Sequence, residues 1–160
     1  MTLAHTVRMY LDQNQIPYEL LSHRHSRTSL RTADRAHIEP ARLAKGVLLE
    51  DDLERQHFLM AVLPATHQVS LADVARCVGR PMHLATEEDA AGLFADCETG
   101  AIPPVGTAYG VETIWEDGLA EQPDLYFEAG DHEGLVHVQT PDFIKLMGGC
   151  PHGQFGGGRA

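Results

Sequence analysis

The chain has 160 residues, 43% of them hydrophobic, which is enough for one ordinary domain core and leaves no need for a second domain. Its 12 Lys and Arg against 23 Asp and Glu give a formal charge of −11, which argues against broad, non-specific contact with nucleic acid. No apolar run reaches membrane-spanning length and residues 1–10 lack the apolar stretch of a signal peptide, so a cytoplasmic protein without a membrane partner is expected.

In chain order, residues 2–13 place Leu3, Val7, Tyr10 and Leu11 on one helical side, and Asn14 with Pro17 ends the pattern. Residues 18–22 read as a short strand. His23 and His25 would share a strand face, but no third ligand accompanies them and no metal site is read there. Ser29 is the expected N-cap of a helix carrying Leu30, Ala33 and His37, and Pro40 opens a short helix reaching about Ala44. Lys45 then stands at a helix-to-strand junction. The apolar runs 47–49 and 58–63 read as neighbouring antiparallel strands, the second buried on both faces.

Ser70 with Asp73 and Gly79 bounds one capped helix, and Thr86 with Asp89 opens another that runs to about Phe94. Residues 111–115, 124–129 and 135–139 alternate as strands, with a hairpin turn at 131–134. Thr140 and Pro141 begin a last helix that packs Phe143, Leu146 and Met147 inward and stops at Gly148 and Gly149. Residues 148–160, glycine-rich and aperiodic, are expected to form a flexible tail, leaving 1–147 as the domain. The expected architecture is a single α+β domain in which helices surround a mixed, largely antiparallel curved sheet of about six or seven strands.

Cys77, Cys97 and Cys150 are odd in number and lack a paired short spacing, so they read as reduced thiols. Arg24, Arg27, Arg31, Arg35, Arg42 and Lys45 lie within 22 residues that contain only Asp34 and Glu39 as acids, whereas residues 81–144 hold no Lys or Arg. The N-terminal third is therefore read as a local basic face, with Arg24, Arg27 and Arg31 placed to meet phosphates. The chain uses ten arginines and two lysines, so Lys45 stands out as a compact point charge beside an apolar strand.

Between the second capped helix and the strand at 111–115 lies Gly100-Ala101-Ile102-Pro103-Pro104-Val105-Gly106. Its tandem prolines fix φ and push the residues before them toward extended backbone, while the N–H groups of Ala101, Ile102, Val105 and Gly106 are counted as free donors. Such a loop either lines a pocket or stiffly joins two strands.

Three segments in order, a lysine opening an apolar strand (44–50), a Gly-x-x-x-Pro-x-Gly loop (100–106) and a Tyr-Phe-x-Ala-Gly turn (126–135), resemble the YbaK/prolyl-tRNA synthetase editing-domain family over residues 5–147. The resemblance implies a trans-acting deacylase that hydrolyses the ester of mischarged tRNA in translation quality control. It implies neither metal nor cofactor nor protein nucleophile, the tRNA's own ribose hydroxyl helping to activate water. Lys45 matches the family's functional lysine, and Gly100, Pro103 and Gly106, with Ala101, Ile102 and Pro104 between them, match its pocket loop. Gly130 falls in the turn that closes the pocket. Some members carry a working histidine soon after that turn. His132 and His137 compete for the role, and His132 is preferred because a turn can aim it inward. Asp131 as general base is the rival mechanism. The implied partners are the acceptor end of tRNA and an aminoacyl-tRNA synthetase, and the chain is expected to be a monomer. The alternative, which the acidity favours, is a non-catalytic module that uses the same pocket for an aminoacyl adenylate, a nucleotide or a protein ligand.

Overall fold

A computed structural model describes residues 3–26 and 28–157. Helix α1 (His5–Gln13) buries Val7 and Leu11, and the Ala4 N–H ahead of it donates to the Ala129 carbonyl at 2.9 Å. That bond ties the start of the chain to the end of strand β7 (Asp124–Glu128). With β1 (Glu19–Ser22) and β8 (Gly134–Gln139), β7 forms a three-stranded antiparallel sheet in the order β1-β8-β7.

The second sheet has five strands in the order β5-β2-β3-β6-β9, from β2 (Ala44–Asp51), β3 (Phe58–Pro64), β5 (Met82–Leu84), β6 (Glu112–Glu116) and β9 (His152–Gly153). β2 and β3 pair antiparallel from Ala44 against Pro64 to Glu50 against Phe58, while β6 runs parallel to β3. Central β3 is buried from Leu59 through Pro64, as its unbroken apolar run requires. A single bridge from Leu43 to Tyr126 links the two sheets at the point where β2 begins. The α+β class and the antiparallel bias stand. The one curved sheet expected divides instead into two, plus a ladder of β4 (Gln68–Val69) with β10 (Gly156–Gly157).

Helix α2 (Ser29–Ala36) is capped one residue earlier than expected. Thr28 Oγ1 accepts the Arg31 N–H at 3.2 Å, and His37, expected on the helix face, ends it at φ 59°. Pro40–Arg42 closes as a 3-10 turn, so Ala44 already belongs to β2. Helix α3 (Leu71–Val78) has the expected Ser70 cap and left-handed Gly79, and α4 (Glu87–Leu93) the expected Thr86 cap. Helix α5 (Thr140–Leu146) buries Phe143 and Leu146, with Met147 buried after it. Among the described residues no helix is long and apolar enough to cross a membrane.

The tail corrects an expectation. Residues 150–157 are not a loose extension: β9 pairs with β6, β10 pairs with β4, and Phe155 is 0% exposed beside Leu49, Leu59, Val74 and Ile114. The Ser70 N–H, at the head of α3, donates to Phe155 O at 2.7 Å. The glycines that suggested flexibility allow close approach instead. A Cβ on Gly156 would lie 3.0 Å from His67 Cβ and 3.1 Å from Glu116 Cδ. Residues 158–160 lie outside the described chain.

Candidate active site

Where the two sheets meet, a cavity of about 70 Å³ opens between the start of α2 (Thr28, Ser29), the entry to β2 (Leu43, Ala44, Lys45, Gly46), the proline loop (Gly100, Ile102) and Glu128 at the end of β7. The linkage at Leu43 explains the position, because β2 leaves one sheet for the other there and carries Lys45 past β7. Among the described residues the Lys45 ammonium has no hydrogen bond or ion pair, and burial lowers its pKa. A half-buried cation without a partner is poised for an anion.

The proline loop divides into a lining and a backing. Gly100, at φ +84°, and Ile102 face the cavity, whereas Ala101, Pro103, Pro104, Val105 and Gly106 are buried behind it. The Ala101 N–H, expected to be free, donates to Glu98 O at 3.0 Å. Gly106 has no positive φ and does not line the cavity. A Cβ there would meet Thr113 Oγ1 at 2.8 Å and Met60 Cβ at 3.2 Å, so it is glycine because β3 and β6 pass close behind the loop. Gly106→Val should therefore lower the melting temperature together with any activity, by about 1–3 kcal/mol of overpacking. Unchanged melting would contradict this placement. Gly46 serves the same close packing from the other side, with Pro104 Cα 3.2 Å from where its Cβ would sit.

His132, the histidine preferred from the sequence, is not among the residues that line this cavity. It is 4% exposed at φ 62°, and its Nε2 lies 2.7 Å from Thr99 O, one residue before Gly100. A Cβ on Gly100 would be 3.4 Å from His132 Cε1, so the ring supports the loop from beneath rather than lining the cavity. His137 stands on the outer face of the three-stranded sheet. It stacks on Tyr126 at 4.3 Å and bonds Asp124 at 2.6 Å and Glu19 at 2.8 Å. Burial disfavours its charge, yet the two carboxylates raise its pKa overall. Asp131, the rival base, accepts the N–H groups of Glu133 and Gly134 in the hairpin turn. Gly130, at φ +121°, backs onto Ala4 and Cys97 rather than the cavity.

The arginines flank the opening. Arg31 and Arg35 line a second cleft of about 480 Å³ with His25, Ser26 and Thr28, and Thr28 belongs to both clefts. Arg35 donates to His25 O at 2.8 Å, Arg24 is exposed, and Arg27 lies outside the described residues. Arg42 is committed elsewhere, 3.2 Å from Asp124. All three cysteines are free, and burial pushes the Cys97 thiol up to about 12, so it is no nucleophile at neutral pH. Among the described residues one group, Asp51, Glu54 and His57, is close enough to share a metal ion, and the Arg80 guanidinium already sits 3.2 Å from Asp51 and 2.7 Å from His57 Nδ1.

Glu128 was not singled out in the sequence. Its Oε1 accepts from Thr32 Oγ1 at 3.3 Å, while Oε2 is buried with no partner among the described residues. Burial raises its pKa to about 7, against the favourable charge of His132 and the Thr32 hydrogen bond. The only sequence signal was strand alternation, which puts Glu128 on the face opposite buried Leu125 and Phe127. Because folding raises this pKa above its ordinary 4.5, the neutral carboxyl favours the fold below 4.5, and that contribution is lost as pH rises to about 7. Glu128→Gln should thus melt higher than wild type at pH 8, by at most about 3 kcal/mol, with the gap shrinking toward pH 5. Thermal melts at the two pH values check this, and a gap that does not change with pH would contradict it.

Lys45, without a partner among the described residues, thus lines a small cavity walled by the proline loop, and Arg31 and Arg35 line the neighbouring cleft. The profile of the aminoacyl-tRNA editing domain family matches residues 23–146, and the chain belongs to that family. Among solved structures, hypothetical protein APE2540 superposes with a TM-score of 0.83 at 16% identity, covering 96% of this chain and 100% of that one. A candidate trans-editing enzyme for prolyl-tRNA synthetase gives 0.81 at 18% identity, with 97% of each chain covered. A candidate signal transduction protein from Marinobacter aquaeolei VT8 gives 0.74 at 18%, this chain covering 31% of it. At these identities the likeness shows the fold. No curated protein matches the chain.

Proposed function

We propose that this editing domain is a trans-acting hydrolase of mischarged aminoacyl-tRNA. The observation that carries the reading is Lys45, a partially desolvated ammonium with no partner among the described residues, in a cavity beside the proline loop. A point charge there stabilises the oxyanion that forms as water adds to the ester carbonyl. The new carbon–oxygen bond comes from water, the bond to the ribose oxygen breaks, and that oxygen leaves with the proton. Gly100 and Ile102 bound the aminoacyl group, and a cavity of about 70 Å³ favours small side chains. His132, through Thr99, positions Gly100. The reaction uses neither metal nor cofactor nor covalent enzyme intermediate. The terminal ribose hydroxyl assists the water, and the protein acts in the cytoplasm as a monomer, receiving its substrate from a synthetase.

The tRNA backbone rests on the cleft of Arg31 and Arg35, with the exposed Arg24 contributing further positive charge. Neutralising Arg24, Arg27, Arg31 and Arg35 together should raise KM more than it lowers kcat. It should also flatten the dependence of log affinity on log salt by about 0.7–0.9 for each phosphate that is no longer neutralised. Affinity that ignores both salt and these changes would favour the second reading, a binding module, to which the charge of −11 lends weight. The proposal itself is tested with a mischarged tRNA in chelator, compared with the same tRNA ending in 2′-deoxyadenosine. Rapid release of amino acid from the first and slow release from the second is expected. No release from either contradicts the enzymatic reading.

A further inference from the structure

An ammonium and a carboxyl line the same cavity without meeting. Lys45 and Glu128 both border it, yet no ion pair within 4.0 Å joins them. Glu128 is not loosely placed. Ser26 and Thr32, both buried, lie 2.5 Å apart through their hydroxyls, and Thr32 Oγ1 donates to Glu128 Oε1. This relay fixes one carboxylate oxygen at the cavity wall and leaves Oε2 buried with nothing to bond among the described residues. A buried carboxylate oxygen left open is costly unless a cation or donor arrives.

The substrate class supplies one. An α-aminoacyl ester carries its ammonium one carbon away from the carbonyl where negative charge develops on hydrolysis. A site with a cation for the oxyanion and a separate anion for the ammonium therefore fits such an ester in a single orientation. We propose that Glu128 binds the free α-ammonium of the substrate, so that the site accepts aminoacyl esters with an unblocked amine and rejects N-acylated ones. This rests on the deacylase reading and names its substrate class. Acylation would remove the positive charge and add bulk to a group held in a cavity of about 70 Å³. Burial, which lifts the Glu128 pKa to about 7, makes the carboxyl a poor anion in the empty site and a good one once an ammonium is beside it. His132 beneath the loop reinforces the ionised form, and Asp131 opposes it.

The test uses stable amide analogues, 3′-deoxy-3′-aminoacylamino-adenosines carrying glycine, alanine or serine, each with a free and with an acetylated amine. Calorimetric affinities are measured for wild type and Glu128→Gln, with melting curves confirming that the variant folds. Wild type should bind the free-amine form about 10–100-fold more tightly than the acetylated form, as a charge-assisted hydrogen bond requires. In Glu128→Gln that preference should fall below about threefold, mainly through weaker binding of the free-amine form. Equal affinities in wild type, or an undiminished preference in Glu128→Gln, would overturn the proposal. So would a variant that keeps the preference but loses turnover, since Glu128 would then be a general base. If wild type binds neither form yet still releases amino acid from mischarged tRNA, this proposal fails while the enzymatic reading survives.

Discussion

Lys45→Ala should lower kcat/KM for a mischarged tRNA by about 10²–10³-fold, the usual effect of losing one preorganised stabiliser of a developing oxyanion. The folded chain should barely notice. The Lys45 ammonium makes no hydrogen bond or ion pair among the described residues, its neighbours Ala44 and Gly46 hold β2 to β3 through backbone bonds, and burial works against its charge. Removing the ammonium costs the fold nothing beyond the packing of its methylene stem, so the melting temperature should stay level or rise slightly. Lys45→Arg should not restore activity, because a planar guanidinium spreads its charge and cannot act as a compact point charge. Kinetics and melting on the same preparations separate a charge role from a packing role. A joint fall in both would mean that Lys45 is structural.

Phe155→Ala should cost about 3–5 kcal/mol of stability. The side chain is fully buried among Leu49, Leu59, Ala61 and Val74, and its own carbonyl receives the Ser70 N–H at the head of α3. Truncation to alanine leaves a cavity between the five-stranded sheet and α3 that the close-packed glycine backbone on either side cannot collapse to fill. For a domain of this size the melting temperature should drop by roughly 10 °C. A shift within about 2 °C would mean that the C-terminal segment is not docked in solution.

That segment also shows where the sequence could mislead. Gly148, Gly149, Gly153, Gly156 and Gly157 read as flexibility because glycine is the residue both of loose chain and of close approach, and a single sequence does not distinguish the two. The solitary Phe155 was the available signal, and two-residue strands are too short to show alternation. The long signals fared better. The caps at Ser70 and Thr86, the apolar run of β3 and the alternation of β7 all state local rules that the tertiary structure obeys.

Of the residues that line the cavity, Lys45, Gly100 and Ile102 were picked out through the family resemblance, because residue type alone left both the lysine and the proline loop open to a purely structural reading. The histidines were not, because whether His132 faces a cavity or a carbonyl is decided by the left-handed backbone at that residue and by the approach of Thr99, a residue 33 positions away. Glu128 escaped notice for the opposite reason. A glutamate on a strand's alternate face is ordinarily solvated, and only the arrival of α2, carrying Thr32, buries this one.

The most direct measurement is the release of labelled amino acid from a panel of mischarged tRNAs by purified wild type and Lys45→Ala under single-turnover conditions. The account predicts that wild type discharges at least one tRNA bearing a small amino acid, leaving the tRNA intact, and that Lys45→Ala does so about 100-fold more slowly or not at all. Release at equal rates by the two proteins, or no release by wild type from any member of the panel, would contradict it.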